Sequence, residues 1–326
     1  MLLSIIIPVY NVEQYLSKCL NSLLQQDIAA ENYEIIVVND GSTDDSMAIA
    51  EEYAQKHQNI IIITQENKGL GGARNTGIRH ATGKYLWFVD SDDYIESNVL
   101  KELLDFIEKK ELEILRFNYE AVKENGNIIA KKNNSLHSIV YSENIVTGEE
   151  FLSKQLGWAC YAVMFLFDTE FIKKNNLYFN ENIYFEDIEW LIKVLLKTER
   201  ICSYNKCVYY YLQREGSITK SKTLEKKEKV YNDKLFVIQY LQTQIENSQN
   251  KQVILWLKGM ISLTVISLLP YVCNQIPHKK DELYLFISKN KLLPLRPYRF
   301  TLRQFITLIL INISPKLFCR LKKRIK

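Results

Sequence analysis

The first third of the chain alternates between short apolar runs and longer amphipathic stretches. The runs LSIIIPV (Leu3–Val9), YEIIVVND (Tyr33–Asp40), NIIIITQ (Asn59–Gln65) and KYLWFVD (Lys84–Asp90) are rich in β-branched and aromatic residues. Each is too continuous for a half-exposed strand, so the pattern predicts strands buried on both faces. Between the first two, Val12, Tyr15, Leu16, Cys19, Leu20, Leu23 and Leu24 recur at helical spacing and predict a helix over Val12–Gln26. Ser42, Thr43 and Asp44 are expected to cap a second helix that reaches Lys56. A third helix is predicted over Gly69–Ala81, with Ala73, Gly77 and Ala81 on a small-residue face, and a fourth over Ser97–Lys110. Strand–helix alternation of this kind predicts an α/β fold with a mostly parallel sheet and right-handed crossovers.

The pattern then loosens. Leu112–Asn118 reads as a further strand, Asn125-Gly126 as a turn, and Ile183–Lys197 as a helix with Ile188, Leu191, Ile192 and Leu195 on one face. VYYYLQREGSITKS reads as an aromatic strand running into a polar loop. Composition shifts at Lys220, after which helical patterns dominate. The expected organisation is an α/β domain over residues 1–219, with halves 1–96 and 97–219, and a mainly helical region over 220–326. The longest apolar stretch, Gly259–Cys273, contains Pro270 and falls short of the ~20 residues a spanning helix needs, so a buried or interfacial helix is expected.

Composition is that of an ordinary globular protein: 326 residues, 47% hydrophobic and 25% charged. Charge is less even. Residues 289–326 carry eleven Lys or Arg and no Asp or Glu, so the net +4 of the chain leaves residues 1–288 at −7. A basic, amphipathic tail on an acidic body fits two readings, attachment to an anionic membrane surface or a helical cap on the α/β domain with an exposed basic end. Nucleic acid is not expected, because no recognition motif accompanies the basic run. The six cysteines are scattered without a CxxC pair, which predicts reduced thiols in a cytoplasmic protein, with neither a zinc site nor a disulfide framework. MLLSIIIPVYN lacks the basic start and long apolar run of a signal peptide.

In an open parallel sheet, ligands bind outside the carboxyl ends of the strands. There the sequence places Pro8-Val9-Tyr10-Asn11, Asn39-Asp40-Gly41-Ser42, Asn67 to Asn75, and Asp90-Ser91-Asp92-Asp93. Asp40 can accept a hydrogen bond from a base N–H or a ribose hydroxyl. Gly69, Gly71 and Gly72 at a helix start leave backbone N–H groups open to an anion, and Arg74 adds a positive charge one turn in. Asp90 and Asp92 offer the hard oxygen ligands that suit Mg²⁺ or Mn²⁺, which completes its shell with water and phosphate oxygens. Rival loops fail. GLGGARNTG has Arg74 where a dinucleotide fingerprint needs its third glycine, and no P-loop is present.

Together SIIIPVYNVEQYLSKCLNSLLQQ, EIIVVNDGSTDDS and NKGLGGARNTGIRHATGKYLWFVDSDD resemble the nucleotide-sugar-binding half of a family 2, GT-A-fold glycosyltransferase of the bacterial surface-polysaccharide type. The resemblance covers residues 2 to about 96, with the motifs in the family's order. It implies an inverting enzyme that uses a nucleotide-diphosphate sugar, UDP by default, and a divalent metal, Mn²⁺ or Mg²⁺. By resemblance Pro8, Val9, Tyr10, Asp40, Gly71 and Ser91 line the donor site, and Arg74 contacts the nucleotide end. Asp90 and Asp92 are the DxD carboxylates, with Asp92 the favoured ligand, and Asp93 lines the sugar pocket. YFEDIEWLIKVL is similar to the family's ED motif, which makes Asp187 the general base and Glu186 a supporting acid. QREGSIT resembles a loop from which Arg214 reaches the diphosphate. The Q-x-x-R-W of processive members is absent, so single-sugar transfer is expected. The acceptor would be a saccharide or a polyprenyl-diphosphate-linked molecule at the inner membrane face, in capsule, O-antigen or exopolysaccharide assembly. The rival is a non-catalytic nucleotide-sugar-binding or scaffold protein of the same fold.

Overall fold

A computed structural model describes residues 1–129, 142–213 and 223–324. They fall into two compact units: residues 1–129, 142–151 and 160–213, and residues 152–159 with 223–324. The boundary expected near Lys220 and the loop carrying Arg214 lie outside the described residues.

The first unit holds one eight-stranded sheet. Its strands are β1 (Leu3–Val9), β2 (Tyr33–Asn39), β3 (Ile60–Thr64), β4 (Tyr85–Phe88), β5 (Tyr94–Ile95), β6 (Ile114–Lys123), β7 (Phe165–Asp168) and β8 (Ile201–Gln213). They lie in the order β3-β2-β1-β4-β7-β6-β8-β5. β3, β2, β1 and β4 are parallel, with Ile5 level with both Ile35 and Trp87. β7 then runs antiparallel to β4 and to β6, so the sheet is mixed beyond its first half. Every residue of β1 and β2 is buried, which is what their unbroken apolar sequence demands. β3 departs from that expectation: it is the edge strand, and Ile61 is 43% exposed.

Helices α1 (Glu13–Leu24), α2 (Ser46–Lys56) and α3 (Gly69–His80) make the crossovers, and α4 (Leu100–Lys109) follows β5. α2 starts later than its expected cap. Asp44 is held outside the helix, accepting from Glu13 N at 3.0 Å and from Ser46 N at 3.1 Å. α3 lies close on β1 because Gly77 has no side chain. A Cβ there would sit 2.2 Å from Ile6 Cγ2 and 3.1 Å from Ile6 Cβ. Gly77→Ala is therefore expected to destabilise the protein by about 1–3 kcal/mol, read as a lower urea midpoint with an unchanged slope.

Later elements of this unit are the single turn α5 (Gly148–Glu150), α6 (Thr169–Lys174) and α7 (Glu186–Leu195). Trp190 on α7 is fully buried, stacks on Phe179 and donates to Leu177 O, so it is a core residue. The chain order turns at β1, which has β2 on one side and β4 on the other. In open α/β sheets such a reversal opens a crevice at the carboxyl ends of the two strands.

The second unit is helical: α8 (Leu224–Asn247), α9 (Lys251–Gln275), α10 (Lys280–Lys289), α11 (Leu302–Ile313) and α12 (Pro315–Arg324). α9 is longer than the apolar stretch suggested. By length and composition it could cross a bilayer, with mean hydropathy 1.9, but 61% of that window is buried. Trp158 packs with Trp256 and Tyr298 inside this unit. The cysteine expectation needs correction. Cys273 of α9 and Cys319 of α12 form a disulfide, while Cys19, Cys160, Cys202 and Cys207 are free. Their separation of 46 residues left no short-range spacing signal; helix packing brings them together.

Candidate active site

Three acids follow β4. The chain turns there, with Asp93 N donating to Asp90 O at 3.0 Å. The turn sorts the carboxylates. Asp93 is 1% exposed; its Oδ2 accepts from Tyr209 Oη at 2.6 Å and its Oδ1 from Leu212 N at 2.7 Å. Burial, then the charges of Asp90 and Asp92, push its pKa well up. Asp93, expected in the sugar pocket, is thus turned inward. Asp90, with a side chain 29% exposed, and the half-buried Asp92 face outward. Ser91 is buried between them. Tyr209 also accepts from Asp90 N at 3.2 Å, so one phenol fixes both ends of the acidic turn.

Arg74 sits beneath the acids rather than at an exposed nucleotide end. Its side chain is 1% exposed. Nη2 reaches Asp90 Oδ1 at 3.0 Å; Nη1 reaches Asp187 Oδ1 at 2.6 Å and Glu186 Oε1 at 3.1 Å. Burial alone would lower its pKa, but Asp187, Asp90 and Glu186 outweigh that and raise it. Arg74 Nε is buried with no hydrogen-bond partner among the described residues. One guanidinium therefore ties the end of β4 to the start of α7.

Glu186 and Asp187 open α7, where the helix dipole favours negative charge. Their environments differ. The Glu186 side chain is 5% exposed and the Asp187 side chain 20%. Burial and then Asp187 push Glu186 upward, against the pull of Arg74. Asp187 is also raised, by burial first, with Arg74 opposing and Asp90 adding to the rise. Among the described residues, Asp187 Oδ2 accepts only a long bond from Ala162 N, 3.4 Å.

At the end of β2, Asp40 Oδ1 accepts from Gln65 Nε2 at 2.7 Å and from Lys68 N at 2.8 Å. Gln65 in turn accepts from Thr76 Oγ1 at 2.5 Å, linking this loop to α3. Gly71 is not open to an anion as expected. It is buried under the loop between α6 and α7, where a Cβ would meet Asn180 O at 2.8 Å. Asn75 holds that loop down, donating to Phe179 O and accepting from Phe179 N. Pro8 and Val9 are buried within β1, and of that trio only Tyr10 is exposed, at 50%. The structure thus gathers Arg74, Asp90, Glu186 and Asp187, sets Asp93 behind them, and leaves Asp40 at the neighbouring strand end. Tyr209, Gln65 and Asn75 were not singled out from sequence. Tyr209 had one signal, its place in the aromatic strand VYYYLQ.

Two outward acids suit a cation that takes one or two carboxylates and completes its shell elsewhere. No group of three or more His, Cys, Asp or Glu arranged to hold a metal occurs among the described residues. Asp90 and Asp92 both act on Asp93, adding to the rise that its burial causes, and a cation at the turn would offset that mutual repulsion.

A family model described as glycosyl transferase family 2 matches residues 4–175. The chain belongs to that family. It is 35% identical over 228 residues to a Bacillus subtilis protein named uncharacterized glycosyltransferase EpsJ, covering 67% of this chain and 63% of that one. It is 29% identical over 256 residues to a Staphylococcus aureus protein named poly(ribitol-phosphate) beta-N-acetylglucosaminyltransferase TarS, covering 77% of this chain and 42% of that one. The fold matches the crystal structure of S. aureus TarS 1–349 in complex with UDP-GlcNAc, at TM-score 0.67, 23% identity, and 97% and 92% coverage. It also matches the mannosyltransferase PcManGT from Pyrobaculum calidifontis in complex with GDP-Man and Mn²⁺, at TM-score 0.60, 15% identity, and 96% and 87% coverage. This family 2 chain therefore has the GT-A architecture, the mixed sheet flanked by helices, followed by a helical region.

Proposed function

We propose that this family 2 chain is an inverting glycosyltransferase that moves one hexosyl or N-acetylhexosaminyl group from a nucleotide-diphosphate sugar, UDP-linked by preference, to a saccharide or polyprenyl-diphosphate-linked acceptor in surface-polysaccharide assembly. The observation that carries it is the contrast around Arg74. One guanidinium holds Asp90, on the outward acidic turn, and Asp187, a carboxylate with solvent access and a raised pKa. The two acids are thereby fixed on either side of one charge, as a donor end and an acceptor end.

In this reading Asp187 accepts the proton of the acceptor hydroxyl as its oxygen bonds to the anomeric carbon. The bond from that carbon to the diphosphate oxygen breaks, and its electron pair leaves with the diphosphate. Asp92 and Asp90 would hold Mg²⁺ or Mn²⁺, which when bound supplies positive charge for the leaving diphosphate. Asp40 Oδ2, which accepts no hydrogen bond among the described residues, meets the base or ribose. Glu186 and Arg74 act as positioning residues. A cytoplasmic site at an anionic membrane face goes with a lipid-linked acceptor.

A panel of nucleotide sugars tested by thermal shift, with and without Mn²⁺, checks the donor reading. At least one donor is expected to raise Tm, more so with Mn²⁺, because a ligand that binds only the folded state stabilises it. If no donor shifts Tm in either condition, the transferase reading fails.

A further inference from the structure

α11 presents an apolar stripe to solvent. Leu302 is 76% exposed, Phe305 42%, Ile306 50%, Ile309 42% and Ile313 68%. At helical spacing these five fall within an arc of about 100°. The other positions of α11 hold it in place. Leu308 and Ile311 are buried, and Asn312 exchanges hydrogen bonds with Leu295 N at 2.6 Å and Leu295 O at 3.1 Å. The Cys273–Cys319 disulfide ties the next helix, α12, to α9. The stripe is therefore an outward face held in one rotational setting. On α12, Leu317 is 45% exposed as well.

What surrounds the stripe decides its partner. Arg303 on the same helix and Arg296, Arg299 and Lys316 on either side of it in sequence are exposed, and residues 289–326 include no acid at all. A water-facing apolar strip in a segment whose charges are all positive is the pattern of a helix that lies in a membrane interface. A protein partner would have to match an apolar strip and a wholly acidic rim together; anionic lipid supplies acyl chains and phosphate headgroups at once. α9, the longer apolar helix, is mostly covered within the fold.

We infer that the α11 stripe of Leu302, Phe305, Ile306, Ile309 and Ile313 is the surface by which this protein lies on an anionic lipid bilayer. The inference deepens the membrane reading given with the proposed function. Vesicle binding and donor binding are separate measurements, so either can fail alone.

The test is flotation of the full chain with vesicles of phosphatidylglycerol and phosphatidylcholine in equal parts, beside vesicles of phosphatidylcholine alone. The protein should float with the anionic vesicles, and high salt should weaken that binding. Phe305→Gln with Ile306→Gln and Ile309→Gln keeps good helix formers at exposed positions. It should weaken vesicle binding by about 100-fold or more while the donor-induced thermal shift stays. Should that variant unfold, Arg303→Glu with Lys316→Glu, both exposed, should weaken binding about tenfold. Equal flotation without phosphatidylglycerol, unchanged binding by either variant, or no flotation would each overturn the inference. So would a dimer that the triple variant splits without any vesicle binding, since the stripe would then cover a second copy.

Discussion

Asp187→Asn is expected to abolish sugar transfer while leaving metal-dependent nucleotide binding intact. General-base catalysis contributes roughly 10²- to 10⁴-fold, so kcat should fall by about that factor. Asn keeps the shape of Asp, and its carbonyl oxygen can still accept from Arg74 Nη1, which lies 2.6 Å from Asp187 Oδ1. The fold should therefore survive, with Tm close to wild type. What is lost is the ability to take a proton. The wild-type pH profile carries the same signature. Burial raises the Asp187 pKa and Arg74 opposes the rise, with the net shift upward. A carboxylate is a base only above its pKa, so the acid limb of kcat should be displaced upward from that of an unperturbed aspartate. Asp187→Asn should flatten that limb along with the rate. Loss of UDP binding in the variant would instead place Asp187 in the donor site, and full activity would remove it from the chemistry.

The donor half was legible because its physics is local. β1, β2 and β4 are buried on both faces, and such strands read as continuous apolar runs. Strand–helix alternation then brings the polar clusters after them to one edge, without any knowledge of which strands pair. The contacts that the sequence does not show are long-range. Asp93 is turned inward by Tyr209 and Leu212, and they lie on a strand 116 and 119 positions away. Nothing near Asp93 could have signalled that. Gly71 invites an anion in sequence, but a loop held by Asn75 covers it. Arg74 looked like a ligand for phosphate because its own segment has no acid to satisfy it. Its partners come from β4 and α7, Asp90 at 16 positions away and Asp187 at 113. A charge whose partners are that distant looks unpaired until the chain is folded.

Arg74→Met is expected to damage stability more than any other single change at the site. Met fills much of the arginine's volume but carries no charge, so Asp90, Glu186 and Asp187 are left together without a counterion. Removing one partner of a buried ion pair typically costs about 3–5 kcal/mol, because the other charge stays buried and unmatched. Asp90 and Asp187 keep 29% and 20% side-chain exposure, so water softens part of the effect, and the lower end, about 3 kcal/mol, is the expected loss. The pH dependence fixes the cause. Glu186 and Asp187 already have raised pKa values with Arg74 in place, and without it burial and mutual repulsion raise them further. A carboxylate whose folded pKa lies above its unfolded value binds protons more tightly when folded, so stability rises as pH falls through the folded pKa. The gap between Arg74→Met and wild type should therefore narrow from neutral to mildly acidic pH, as measured by urea unfolding. A cavity or a lost packing contact would leave the gap constant. Arg74→Lys restores a charge but not the fork that reaches Asp90 with one nitrogen and the α7 acids with the other. It should recover much of the stability and little of the transfer rate. If Arg74→Met is as stable as wild type at neutral pH, or if the gap widens on acidification, the guanidinium is not what holds the three acids together.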